Sequence, residues 1–158
     1  MLSYVAIAQN NAVSSDTKTS KYFLQASGKF MNGDYNGAIT LYKSVLKRDS
    51  LLNKNYWYVL IDNLGMAYGI TGDLKSAEQT FKYGLSKDST YPLFYYNLAC
   101  AYAEKNDMNS CINYLKSAYK YKKNMMVDET FPDPATDDSF KKFMKNEEFI
   151  LALREFKK

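Results

Sequence analysis

The sequence contains no histidine. That absence removes the usual general base of hydrolytic triads, the commonest zinc ligand and the one side chain that titrates near neutral pH. Two cysteines are too few, without histidine, to build a metal or redox site. Seven glycines and three prolines in 158 residues exclude collagen-like and low-complexity chains. No apolar run approaches the roughly 20 residues that a helix needs to cross a bilayer, so no membrane span is expected. No phosphate-binding glycine loop, nucleophile elbow or carboxylate with a partnered base occurs. Catalytic, cofactor and metal sites are therefore not expected. What remains, with 46% hydrophobic residues, is ample material for one globular core. Aromatic residues are abundant: fifteen Tyr, nine Phe and one Trp. Such rings either fill helix interfaces or line a binding surface.

A formal charge of +4 is mild for a domain of this size, so nucleic acid is not an expected partner. The basic clusters, Lys116, Lys120, Lys122 and Lys123, then Lys141, Lys142 and Lys145, are interleaved with rings at helical spacing. They read as solvated helix faces.

Near the N-terminus, Leu2 to Ala8 is uncharged and mostly apolar, and it ends in Ala6-Ile7-Ala8 before Gln9. That is an A-x-A cleavage pattern without a basic n-region. Residues 1–8 read as the remnant of a signal peptide that starts upstream of Met1, which places the protein in a bacterial periplasm or outside the cell. The alternative is a frayed tail on a cytoplasmic protein. Either way, residues 1–18 are expected to lie outside the fold.

A repeat organises most of the remaining chain. Ile61, Leu64, Gly65, Tyr68, Gly72, Asp73, Ala77 and Gly84 recur 34 positions later as Tyr95, Leu98, Ala99, Tyr102, Asn106, Asp107, Cys111 and Ala118. An earlier copy stands 39 positions before the middle one, carrying Tyr22, Ala26, Gly33, Asp34, Ala38, Tyr42 and Leu46. Steric reasons explain the marked positions. Ile61, Leu64 and Tyr68 form one helical stripe, and Gly65 sits where the paired helix comes closest. Phe81 fills the buried face between them. Gly33, Gly72 and Asn106 end first helices in the left-handed region, and Asp34, Asp73 and Asp107 follow as N-caps. Gln25 and Lys29 replace the Leu64 and Tyr68 of the middle copy, as suits a first repeat with no upstream neighbour. The five residues 53–57 extend the first helix of the middle repeat and make Trp57 a packing anchor.

This pattern resembles the tetratricopeptide repeat, a helix-turn-helix of 34 residues. The resemblance implies an all-α, right-handed superhelix of three repeats over residues 19–123, at about 19–52, 58–91 and 92–123. After residue 123 the period stops, and 124–158 reads as an irregular segment with Pro132 and Pro134 followed by capping helices, started by Asp137 or Asp138 and by Asn146. That ending is similar to one found on many bacterial tetratricopeptide proteins.

The resemblance also implies a function: a non-catalytic protein-protein interaction module that binds a peptide or protein segment in its concave groove. Carried over by position, the groove comprises Phe23, Ser27, Phe30 and Met31, then Val59, Asp62, Met66 and Ile70, and Leu93, Tyr96, Cys100 and Glu104. Asn63 and Asn97 sit one step away, where they either bond a ligand backbone or stabilise their helices. A clamp for acidic tails is not expected, because Phe23, Ser27, Leu93 and Asn97 replace its basic residues. Tyr22, Tyr42, Tyr68, Tyr95 and Tyr102 fall on packing positions, which leaves Tyr96 as the leading surface ring. Cys100 and Cys111 read as two independent small apolar residues, a disulfide being the alternative in an exported protein. The partner itself is not named by the sequence. A structural or self-associating subunit of a bacterial envelope assembly is the competing reading.

Overall fold

The computed structural model describes residues 12–157. The apolar run of residues 2–8 and its cleavage pattern lie outside the described residues. No helix among the described residues is long and apolar enough to cross a membrane. The fold is all-α: α1 (Thr17–Met31), α2 (Tyr35–Leu46), α3 (Lys54–Ile70), α4 (Leu74–Lys87), α5 (Pro92–Glu104), α6 (Met108–Lys120) and α7 (Glu147–Phe156). Short 3-10 turns at Asp49–Leu51, Lys122–Asn124 and Asp138–Phe143 punctuate it. The described chain divides into two compact units, 12–84 and 85–157.

The N-terminal unit is built as the repeat demands. Gly33 and Gly72 take φ of 79° and 87° at the ends of α1 and α3, a region that glycine enters without a Cβ penalty. Asp34 then caps α2 by accepting from the Gly37 amide at 2.9 Å, and Asp73 accepts from that of Ser76 at 3.0 Å. A Cβ at Gly65 would overlap the ring of Phe81, so the glycine is what lets α4 seat that ring against α3. The core of this unit gathers Phe23, Ala26, Phe30, Tyr42, Val45, Leu60 and Leu64. Gln25 and Lys29 are exposed, the latter paired with Asp34 at 2.5 Å.

The fold begins earlier than residue 19. Val13 is buried, the Asn53 amide donates to its carbonyl at 3.0 Å, and the Ser14 hydroxyl donates to the Leu51 carbonyl at 2.8 Å. Asp16, which reads in sequence as part of a polar tail, is the N-cap of α1 and accepts from the Thr19 amide at 2.7 Å. The insertion also starts α3 at Lys54, four residues before the expected repeat boundary, and gives it 17 residues against 13 for α5. Trp57 is anchored there: its Nε1 donates to Asp49 at 3.2 Å, and the Tyr83 hydroxyl donates to the same carboxylate oxygen.

In the C-terminal unit, α5 and α6 form the third helix pair, turned by Asn106 at φ 60° and capped by Asp107, which accepts from the Ser110 amide at 3.0 Å. The irregular segment after α6 is pinned by the Tyr91 hydroxyl, which donates to Glu129 at 2.7 Å. Asp137, accepting from the Ser139 amide at 3.0 Å, starts the 3-10 turn, and Asn146, accepting from Phe149 at 3.1 Å, starts α7. Phe140, Phe143, Phe149 and Leu153 from this ending enter one core with Tyr96, Cys111 and Leu115. The ending is therefore part of the unit's interior.

Candidate functional site

The candidate residues separate by what covers them. Phe23 and Phe30 do not face a ligand, since each is only 3% exposed. Phe23 packs edge-on to Tyr42 and Tyr56, at 6.1 and 5.4 Å between centroids, and Phe30 packs likewise on Tyr35 at 5.4 Å. Their rings fill the space between α1 and its neighbours. Ser27 and Asn63 are also turned inward, on the Tyr42 hydroxyl at 3.0 and 2.9 Å. Asn63 thus takes the helix-stabilising role of its two sequence readings. Asp62 is 7% exposed.

The candidates that stay open in this unit are apolar. Met31 is 59% exposed, Ile70 52%, and Met66 is half-buried. Leu24, absent from the sequence-derived set, is 59% exposed. Leu24 and Met31 stand seven apart on α1, two turns on one face, and Met66 and Ile70 stand four apart on α3. The position carry-over selects the neighbouring Phe23 and passes over Leu24. An amphipathicity reading of α1 alone would have flagged Leu24 as an apolar residue off the buried stripe.

In the C-terminal unit the candidates converge, but on the chain itself. Tyr96, the leading surface ring in the sequence, is 2% exposed. Its hydroxyl donates to Oδ2 of Asp137 at 3.0 Å, and Phe131 and Phe140 lie edge-on to its ring at 5.8 and 5.7 Å. Burial, with the nearby Cys100 and Asp137, pushes the Tyr96 hydroxyl far above the usual phenol range. Ser139 hydrogen-bonds Cys100, whose thiol is likewise raised by burial. Lys142 donates from Nζ to the Ala103 carbonyl at 3.0 Å and stands 3.7 Å from the Glu104 carboxylate. Residues 131–142 therefore form a strap over the face of α5 that Tyr96, Cys100 and Glu104 define. Nothing local in α5 announces this, because the covering residues lie 35 to 44 positions downstream. Asn97 is half-buried.

Both cysteines are free, and burial raises the Cys111 thiol to about 12. A thiol so protonated is a poor nucleophile and metal ligand. No group of three or more metal-binding side chains lies together among the described residues.

Comparison with known proteins fits this architecture. Residues 93–125 match the family model of the tetratricopeptide repeat. The solved structure of PcrH from Pseudomonas aeruginosa is similar at a TM-score of 0.59 with 14% identity, over 98% of this chain and all of that one. PcrH in complex with the chaperone binding region of PopB gives 0.58 and 14%, over 90% of this chain and 96% of that one. The type III secretion translocator chaperone SycD from Yersinia enterocolitica, in a form described as an alternative dimer, gives 0.59 and 18%, over 93% and 96%. At such identities the likeness shows the fold. No curated protein matches the sequence.

Proposed function

From a chain built of tetratricopeptide helix pairs, we propose a non-catalytic protein-interaction module that holds a segment of a partner protein on the α1 and α3 face of its N-terminal unit. One observation carries the proposal. Leu24, Met31 and Ile70 are exposed apolar side chains on helices whose buried faces are already filled. Contiguous exposed apolar surface marks docking sites in soluble domains, and Leu24 and Met31 share one face of α1. Methionine suits such a surface, since its flexible thioether adapts to varied partners. PcrH, similar in fold, is described in complex with a segment of another protein, which supports this use of the fold. The corresponding face of α5 is taken by the strap, so the surface offered to a partner is shorter than the three-repeat groove expected from sequence.

The experiment is affinity capture from the native host with the wild-type chain and with Met31→Glu and Ile70→Glu. Specific partners should be lost with either substitution while the helical signal and melting temperature hold. Unchanged capture would remove the α1 and α3 face from consideration.

Self-association is the second reading, favoured by the dimeric form described for SycD. Light scattering separates the two: a concentration-dependent dimer abolished by Met31→Glu assigns the face to a second copy. The comparisons lend no support to an envelope-assembly subunit.

A further inference from the structure

The first helix pair leaves open a groove that the next repeat fills. The 39-residue offset between the first two copies maps Gln25 onto Leu64 and Lys29 onto Tyr68. In α3 those two residues share a core with Ala38, Tyr42 and Val45 of the preceding helix, α2. On α1 both equivalents are exposed. A cleft of about 620 Å³ opens there, lined by Gln25, Gly28 and Lys29 of α1 and by Gly37, Thr40 and Leu41 of α2. A Cβ on Gly28 would meet nothing within 4 Å, so there is room for a side chain from outside. The cleft has the form of a seat for one more helix. Neither Met31, Met66 nor Ile70 lines it, which separates it from the face assigned to the partner.

Gln25 and Lys29 in place of Leu64 and Tyr68 suit a charged helix better than an apolar one. Residues 16–48 carry six basic side chains against two acidic ones, Asp16 and Asp34. Both acids already answer a cation of this stretch, Arg48 at 3.6 Å and Lys29 at 2.5 Å. Lys21, two turns before Gly28, and Lys47, seven positions after Thr40, continue the line of the cleft, and both are exposed. The last helix offers the complement. Leu151 of α7 is 57% exposed on the side opposite the buried Phe149 and Leu153. Glu147 and Glu148 stand one turn before it and Glu155 one turn after, all exposed. Arg154 is the one cation of α7. Lys21, Lys47, Glu147, Glu148 and Glu155 form no ion pair among the described residues.

We propose that this groove takes α7 of a second copy of the chain, with Leu151 set against Leu41 over Gly28 and with Glu147, Glu148 and Glu155 toward Lys21 and Lys47. Opposite charges on the two faces bring them together and fix their register, and salt weakens the contact. The two surfaces lie in different units, one in 12–84 and one in 85–157. The contact is therefore heterologous: a copy that fills its groove still offers its own α7, and association continues until a ring closes.

Sedimentation velocity of the full chain tests this. The wild type should at least double its weight-average mass between low and high micromolar concentration, and return toward the monomer in high salt. Gly28→Leu, which favours the helix and fills the cleft, and Leu151→Glu, which puts a charge on the outer face of α7, should each stay monomeric with the melting temperature kept. Mixed in equal amounts they should form a heterodimer and nothing larger, because the open groove of the Leu151→Glu chain meets the intact α7 of the Gly28→Leu chain. A wild type that stays monomeric, or a mixture that does not associate, overturns the proposal. If the wild type is monomeric and Gly28→Leu loses a host protein that the wild type captures, the groove belongs to a helix of that protein and the second copy is ruled out. Assembly lost with Ile70→Glu also overturns the proposal, by placing the contact on the α1 and α3 face. Assembly kept with Ile70→Glu supports it, whatever capture of host proteins says of that face.

Discussion

The Asn63 side chain donates from Nδ2 to the hydroxyl of Tyr42 at 2.9 Å, inside the N-terminal unit where α1, α2 and α3 meet. Ser27 Oγ lies 3.0 Å from the same hydroxyl. One phenol thus satisfies polar groups from two other helices. Tyr42→Phe keeps the ring and strands both partners, at a cost of about 1 to 3 kcal/mol in the unfolding free energy. Urea titration checks this, and a change below about 0.5 kcal/mol would mean that water replaces the hydroxyl.

Gly65 and Phe81 form a steric pair. Phe81, 2% exposed, leaves a cavity when truncated, so Phe81→Ala should cost about 3 to 5 kcal/mol. Gly65→Ala forces overlap with the ring and destabilises despite alanine's better helix propensity. With Phe81→Ala in place the overlap is gone, and adding Gly65→Ala should then be neutral or stabilising. A double-mutant cycle reads this coupling, and additive effects would contradict it.

Tyr96 and Asp137 tie the strap to α5, which predicts a stability effect rather than a binding effect. Tyr96→Ala should destabilise by about 3 to 5 kcal/mol, as for other buried rings. Tyr96→Phe should cost less and leave partner affinity unchanged. A loss of affinity in the folded Tyr96→Phe protein would place the ligand on α5.

Acid should loosen the turns. Hydrogen bonds from Ser76 hold the Asp73 carboxyl below its ordinary value, and those from Ser110 do the same for Asp107. A lowered folded pKa means stability that is present above the unfolded value of about 3.9 and lost as pH falls through the folded one. The urea midpoint should decline below about pH 4, and Asp73→Asn with Asp107→Asn should flatten that decline. At the alkaline end, burial and then the bond to Asp49 raise Tyr83 to about 12. Its contribution is complete below the unfolded value of about 10 and lost as pH rises toward 12. Tyr83→Phe should remove that step, and an unchanged alkaline profile would contradict the assignment.

The fold was legible where a residue type answers a backbone or steric demand that acts locally. Gly33, Gly72 and Asn106 mark turns, Asp34, Asp73 and Asp107 mark helix starts, and Gly65 faces Phe81, all from spacing alone. The first boundary was missed because Asp16 follows serines, and a cap among polar residues looks like a tail until its helix is seen. The site was far less legible. Whether Phe23 or Leu24 faces outward is decided by the packing of Tyr42 and Tyr56 around α1, and whether Tyr96 is a surface ring is decided by Phe131, Asp137 and Phe140 much later in the chain. Repeat positions fix a direction, whereas exposure depends on what else arrives there.

Site-directed photo-crosslinking tests the central claim most directly. A benzophenone-bearing residue is placed in turn at Met31, Ile70 and Asn97, and each protein is irradiated with the partner recovered from the host. Adducts from positions 31 and 70, with none from 97, are the predicted result. Adducts from position 97 alone would contradict the account and put the ligand on the helix that the strap occupies.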